Sequence, residues 1–102
     1  MSDSLDFEAN SVKGSVKLVH VVGMHARPAV KLTKFAKRFK SQITLRVTGA
    51  ADWIDAKSVA KVMAMRAARD SIIEVEAIGV DAKAAVAALV ALIAEDFPDV
   101  AR

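Results

Sequence analysis

Ser71-Ile72-Ile73-Glu74-Val75-Glu76-Ala77-Ile78 alternates apolar with acidic side chains, and a two-residue period is that of an extended strand. Ile73, Val75 and Ala77 share one face; Glu74 and Glu76 lie on the other. A strand with a single apolar face belongs to a sheet covered on one side, the arrangement antiparallel sheets allow. Working outward, Asp81 is placed to N-cap an Ala-rich helix whose stripe is Ala85, Val86, Leu89, Leu92 and Ile93, stopping before Pro98. On the other side, Gln42 to Thr48 alternates again, with Ile43, Leu45 and Val47 inward and Thr44 and Arg46 outward, and Gly49 closes it. A short strand around Asp52 to Asp55 follows the Gly49-Ala50-Ala51 turn. Lys57 to Met65 spaces Val59, Val62, Met63 and Met65 as a helix too short to stand without packing.

Nearer the N-terminus, Ala26 to Lys40 has helical periodicity. Ala29, Leu32, Ala36 and Phe39 fall on one side, and Arg27, Lys31, Lys34 and Arg38 on another. Ser15 to Val22 reads as a strand ending at Gly23, with Val16 and Leu18 on one face. The order is therefore βαββαβα: an α+β domain in which three helices cover one face of a four-stranded, mostly antiparallel sheet.

The chain of 102 residues, 54% hydrophobic and 26% charged, is one globular domain and excludes disorder. Residues 1–12 read as a mobile tail and 13–102 as the domain. No basic stretch precedes an apolar run at the N-terminus, so export is not expected. Ala82 to Ala94 contains Lys83 and falls short of the roughly 20 residues of a membrane span, so neither a span nor stable membrane association is expected. The absence of cysteine removes disulfides and thiolate chemistry and suits a reducing cytoplasm. Two histidines are few for a metal site, and neither a metal nor another cofactor is expected. Every Lys and Arg lies from Lys13 onward; setting aside Asp3, Asp6 and Glu8 of the tail raises the net charge from +3 to +6, which favours acidic partners.

Gly23-Met24-His25-Ala26-Arg27-Pro28-Ala29 joins the first strand to the first helix. Proline is tolerated only in a helix's first turn, so the helix starts within a residue or two of His25. The imidazole then sits at the positive end of the helix beside unpaired N–H groups and the Arg27 guanidinium, an arrangement suited to phosphate. A ring nitrogen there can also hold phosphate covalently. From the residues alone, the alternative that His25 is only a capping or surface residue stays open. His20, on the side of Val16 and Leu18, reads as a structural residue at the rim of the sheet, and Trp53 as an edge-strand packing residue.

This heptad resembles the active-site signature of HPr, the histidine-containing phosphocarrier of the bacterial phosphoenolpyruvate-dependent phosphotransferase system. Ala56-Lys57-Ser58-Val59-Ala60-Lys61-Val62-Met63 resembles that family's second motif, around its regulatory serine. Ile72 to Gly79 with the Ala-rich helix resembles its last strand and helix. The resemblance covers about residues 14 to 95 and implies an open-faced β-sandwich. It also implies that His25 accepts a phosphoryl group on Nδ1 from Enzyme I and passes it to an Enzyme IIA, with Ala26 and Arg27 holding the phosphate. The chain would then be a carrier rather than an enzyme, cytoplasmic and monomeric.

By the same resemblance, Ala26, Val30, Lys31, Lys34, Lys37, Lys57, Val59, Lys61 and Met63 form a docking face, with Val30, Val59 and Met63 as its apolar centre. Ser58 is the residue a dedicated HPr kinase/phosphorylase modifies in some members; as a residue type it also suits an N-cap. Two alternatives accompany this reading: a regulatory carrier of the nitrogen-related branch, and a small basic nucleic-acid-binding module. The second lacks aromatic residues interleaved with the basic ones, so no nucleic-acid partner is expected. The chain departs from the family pattern at Val22, where Asn or Ser is common, and at Ala60, where a larger apolar residue is common. Arg66 stands where glycine often ends the second helix, and Val47 to Asp55 is about two residues longer than usual.

Overall fold

The computed structural model describes residues 11–98. The elements follow the order β1 (Ser11–Lys17), α1 (Ala26–Ala36), β2 (Gln42–Val47), β3 (Ile54–Asp55), α2 (Val59–Ala64), β4 (Ile72–Ile78) and α3 (Ala82–Ala94). The four strands form one sheet in the spatial order β1-β4-β2-β3, and every pairing is antiparallel. This is an α+β open-faced sandwich.

β4 is central and carries the core, as its alternation predicts: Ile73, Val75 and Ala77 are fully buried. They meet Ile43 and Leu45 of β2 and, from α3, Ala85, Leu89 and Ile93 in one hydrophobic core. Full burial of each large aliphatic side chain contributes about 1.5–3 kcal/mol. The opposite face of the sheet stays polar. There Arg46 Nε pairs with Glu74 Oε1 at 2.6 Å, Ser11 Oγ donates to Glu76 at 3.2 Å, and the Arg46 guanidinium lies 4.6 Å from the centre of the Trp53 ring.

Several boundaries differ from the sequence reading. Ser11 and Val12, assigned with the tail, are the first residues of β1 and pair with Ile78 and Ala77. The strand also ends earlier, at Lys17, because the chain turns: Gly23 N–H donates to His20 O at 2.9 Å. Val21 and Val22 sit at the exposed tip of that turn.

α1 stops at Ala36 rather than continuing to Lys40. The reason is tertiary, since Asp81 does not cap its own helix through its side chain. Its carboxylate instead accepts the N–H groups of Lys40 and Ser41, each at 2.8 Å, and the Ser41 hydroxyl. These bonds pull the end of α1 into the approach to β2. They also hold the Asp81 carboxyl down at about 2, below its ordinary 3.8, with the Ser41 hydroxyl as the main cause and the Lys40 N–H next.

α2 occupies only the middle of the expected segment. Just past its C-cap Met65, Arg66 adopts φ +51. At the position where the resemblance leads one to expect glycine, this chain makes a left-handed stop with an arginine.

Candidate functional site

The turn 20–23 and the start of α1 bring the sequence's two histidines together. Gly23 has φ +80, and a Cβ there would lie 2.6 Å from Ala67 O, so only glycine lets the chain pass this close. Met24 follows, buried at 6% exposure, with its N–H on that same Ala67 carbonyl at 2.9 Å. The Met24 anchor fixes where His25 emerges.

His25 occupies the N-cap position of α1 in extended conformation, and its side chain makes no capping hydrogen bond. His25 thus stands at the N-cap position without capping the helix through its ring. The first helical bond runs from Ala29 N–H to His25 O at 2.9 Å. The N–H groups of Ala26 and Arg27 open the helix ahead of that bond and have no acceptor within it. Pro28, in the first turn, has no N–H to leave unpaired. Arg27 is exposed, and its guanidinium makes no hydrogen bond or ion pair with the described residues. The half-buried imidazole thus belongs to the residue that opens the helix, next in sequence to two free N–H donors and an uncommitted cation.

The expected docking residues divide into two groups. α1 and α2 pack against each other, which sets Val30 and Met63, 37% and 40% exposed, and half-buried Val59 on adjoining helices. Ala26, Lys34, Lys37 and Lys61 are exposed. Two of the expected rim lysines are instead engaged within the fold. Lys57 Nζ donates to Phe39 O at 2.8 Å and Ser41 O at 2.9 Å, closing the end of α1. Lys31 Nζ donates to Phe97 O at 2.9 Å. Ser58 is the N-cap of α2, its Oγ accepting Lys61 N–H at 3.2 Å.

Sequence reading gave His20 only a structural place at the rim of the sheet. Its Nε2 lies 2.9 Å from His25 Nε2 and its Nδ1 lies 2.8 Å from Asp96 Oδ1. No local pattern pointed to this, because Asp96 is 76 residues away in sequence.

Residues 12–95 match the family model described as the PTS HPr component phosphorylation site. The chain belongs to the HPr family. Among its relatives, phosphocarrier protein NPr of Escherichia coli K12 is 35% identical over 89 residues, 87% of this chain and 98% of NPr. Phosphocarrier protein HPr of Cupriavidus necator is 39% identical over 80 residues, covering 78% and 88% of the two chains. The crystal structure of HPr-C-His from Thermoanaerobacter tengcongensis superposes with a TM-score of 0.79 at 28% identity, covering 88% of this chain and 99% of that one. As an HPr protein, this chain is a phosphocarrier of the phosphotransferase system. Its sheet and three helices are those of the HPr fold.

Proposed function

We propose that His25 is the phosphoryl-bearing residue, taking the group from phosphorylated Enzyme I on Nδ1 and passing it to a histidine of an Enzyme IIA. The observation that carries this reading is the His25 ring itself. It stands at the start of α1 without a capping bond, with Nε2 engaged by His20 and Nδ1 without a hydrogen-bonding partner among the described residues. Transfer between two imidazoles asks the protein mainly for position and charge. The Ala26 and Arg27 N–H groups and the Arg27 guanidinium supply donors for the phosphoryl oxygens. The exposed centre of Val30, Val59 and Met63, with Lys34, Lys37 and Lys61 around it, suits a partner that presents carboxylates about an apolar hollow.

Phosphoenolpyruvate and Enzyme I should add one acid-labile, base-stable phosphoryl group to the chain, and His25→Ala should abolish it. Label that survives in this variant, or that maps to His20, refutes the assignment. Arg27→Ala should slow transfer while shifting stability by only about 0.5 kcal/mol, a surface-sized effect, since its side chain holds nothing in place.

The similarity to NPr along nearly its whole length supports a second reading, a regulatory carrier of the nitrogen-related branch. Side-by-side rates with the sugar-branch and nitrogen-branch forms of Enzyme I distinguish the two. The carrier faster with the latter belongs to the regulatory branch.

A further inference from the structure

We propose that His20 and Asp96 form a positioning relay that holds the His25 imidazole in the tautomer with its proton on Nε2, presenting Nδ1 as the nucleophile. The inference rests on His25 being the phosphoryl acceptor and adds two residues to that site.

Counting donors fixes the tautomers. An ionised carboxylate only accepts hydrogen bonds, and a neutral imidazole has one N–H and one lone pair. Asp96 Oδ1, 2.8 Å from His20 Nδ1, therefore places the His20 proton on Nδ1 and leaves a lone pair on Nε2. That lone pair faces His25 Nε2 at 2.9 Å, and a contact this short between two nitrogens needs a hydrogen between them. With both rings neutral, His25 must supply it. With its proton on Nε2, His25 is left with its lone pair on Nδ1.

The relay is held by its neighbours. The two imidazole centres lie 4.9 Å apart, and the edge-on ring of Phe97 lies 6.1 Å from the centre of His20. Asp96 and Phe97 reach this corner because the chain leaves α3 through two successive left-handed residues, φ +62 and +54. The turn is closed by Phe97 N–H on Leu92 O at 2.8 Å and by Lys31 on Phe97 O. His20 and Asp96 are 24% and 49% exposed at their side chains, so the contact is partly shielded from water.

The chemical step balances without a proton leaving the ring. The Nδ1 lone pair forms a bond to phosphorus, the donor's P–N bond breaks, and its electron pair departs with the donor nitrogen. His25 becomes a phosphorylated imidazolium that still carries its Nε2 proton. The His20 lone pair then accepts a hydrogen bond from a cation, a stronger bond than before, and the Asp96 carboxylate offsets the charge. The relay both selects the nitrogen and stabilises the phosphorylated form.

The test uses phosphoramidate, a small donor whose transfer releases ammonia and needs no protein docking. The variants are His20→Phe, which keeps a ring but no acceptor, His20→Gln, whose amide oxygen can still accept, and Asp96→Asn. Nitrogen-15 spectra of the ring nitrogens, taken where both rings are neutral, report the tautomers, and phosphorus-31 spectra report which nitrogen is modified. Wild-type protein should carry the proton on His25 Nε2 and phosphate on Nδ1 alone. His20→Phe should lose the single tautomer, admit phosphate on Nε2 and slow Nδ1 phosphorylation about ten- to a hundredfold, the size of one hydrogen bond to a charged group. His20→Gln should retain most of the rate, and Asp96→Asn, whose amide can accept from His20 Nδ1 or donate to it, should give a mixture of His25 tautomers and a rate between those of wild type and His20→Phe.

Unchanged tautomer, regiochemistry and rate in folded His20→Phe would overturn the relay while leaving His25 as the acceptor. If His20→Phe does not fold, Asp96→Asn decides by the same readings. Wild-type protein that takes no phosphate at His25 would instead remove the reading on which the relay rests.

Discussion

Replacing Gly23 with alanine tests whether the site is held by the backbone beneath it. The added Cβ would lie 2.6 Å from Ala67 O, 3.2 Å from Arg69 N and 3.3 Å from Ala68 Cα. All three are backbone atoms, so no flexible side chain can swing away. An L-residue at φ +80 costs about 1–2 kcal/mol, of which about 0.4–1 kcal/mol is offset by the stiffer unfolded chain. Relieving the clash means parting Met24 N–H from Ala67 O, about 1 kcal/mol for the bond and about 1–3 kcal/mol if a group is left buried without a partner. The total is about 2–4 kcal/mol. For a domain of this size each kcal/mol lowers Tm by about 4–8 °C, so a fall of roughly 10–25 °C is expected in thermal unfolding followed by circular dichroism.

Gly49→Ala is the control for this experiment. Gly49 has φ +93, but a methyl group added there would meet nothing within 4 Å, so only the backbone cost of about 1 kcal/mol applies. Equal losses in the two variants would show that the contact with Ala67 carries no energy and that the turn beneath His25 is free to move.

Three other outcomes are expected. Arg66→Gly should raise stability by about 0.5–1 kcal/mol in urea unfolding, because glycine meets no steric cost at the left-handed stop of α2; a loss would mean that the arginine side chain has a stabilising role. Stability should fall as pH drops from about 4 to 2, because Asp81 is held at about 2 in the folded chain against 3.8 ordinarily. A carboxyl depressed by folding contributes fully above its unfolded value and loses that contribution as the folded form takes up its proton. Asp81→Asn should flatten this part of the acid profile, and an unchanged profile would contradict the role given to its bonds with Ser41 and Lys40. Ser58→Asp should fold normally, since aspartate also caps helices, yet accept phosphate from Enzyme I more slowly than Ser58→Ala; equal rates would leave Ser58 a cap and nothing more.

The faces of the elements were legible in the sequence because burial leaves a period. Ile73, Val75 and Ala77 alternate with acidic residues, and all three are buried. What periodicity does not carry is a partner distant in sequence. β1 reaches back to Ser11 because Ile78 is there to pair with it, and α1 ends early because Asp81 takes the Lys40 and Ser41 N–H groups. The same limit separated the two histidines. His25 is marked by its neighbours in a heptad, whereas His20 shows only an alternation placing it beside Leu18. Its partner Asp96 lies past the end of α3, where no motif announces it.

Backbone strain in this chain is distributed in a way that bears on the site. Among the described residues, the non-glycine positions with positive φ are Arg66, Asp70, Asp96 and Phe97. Arg66 and Asp70 bracket the segment whose Ala67 carbonyl holds Met24, and Asp70 N–H itself donates to Leu18 O at 2.7 Å. Asp96 and Phe97 hold His20 through a hydrogen bond and a ring edge. Both strained loops therefore press on the one stretch, Leu18 to His25, that carries the two imidazoles. Left-handed conformations of this kind persist only where the surrounding contacts over-determine them, and here those contacts are the ones that orient the rings. It follows that relieving the strain at Arg66 should leave His25 in place, because the Ala67 bond survives with a glycine at 66. Relieving it at Asp96 by removing the side chain should not, because there the strained residue is itself the acceptor.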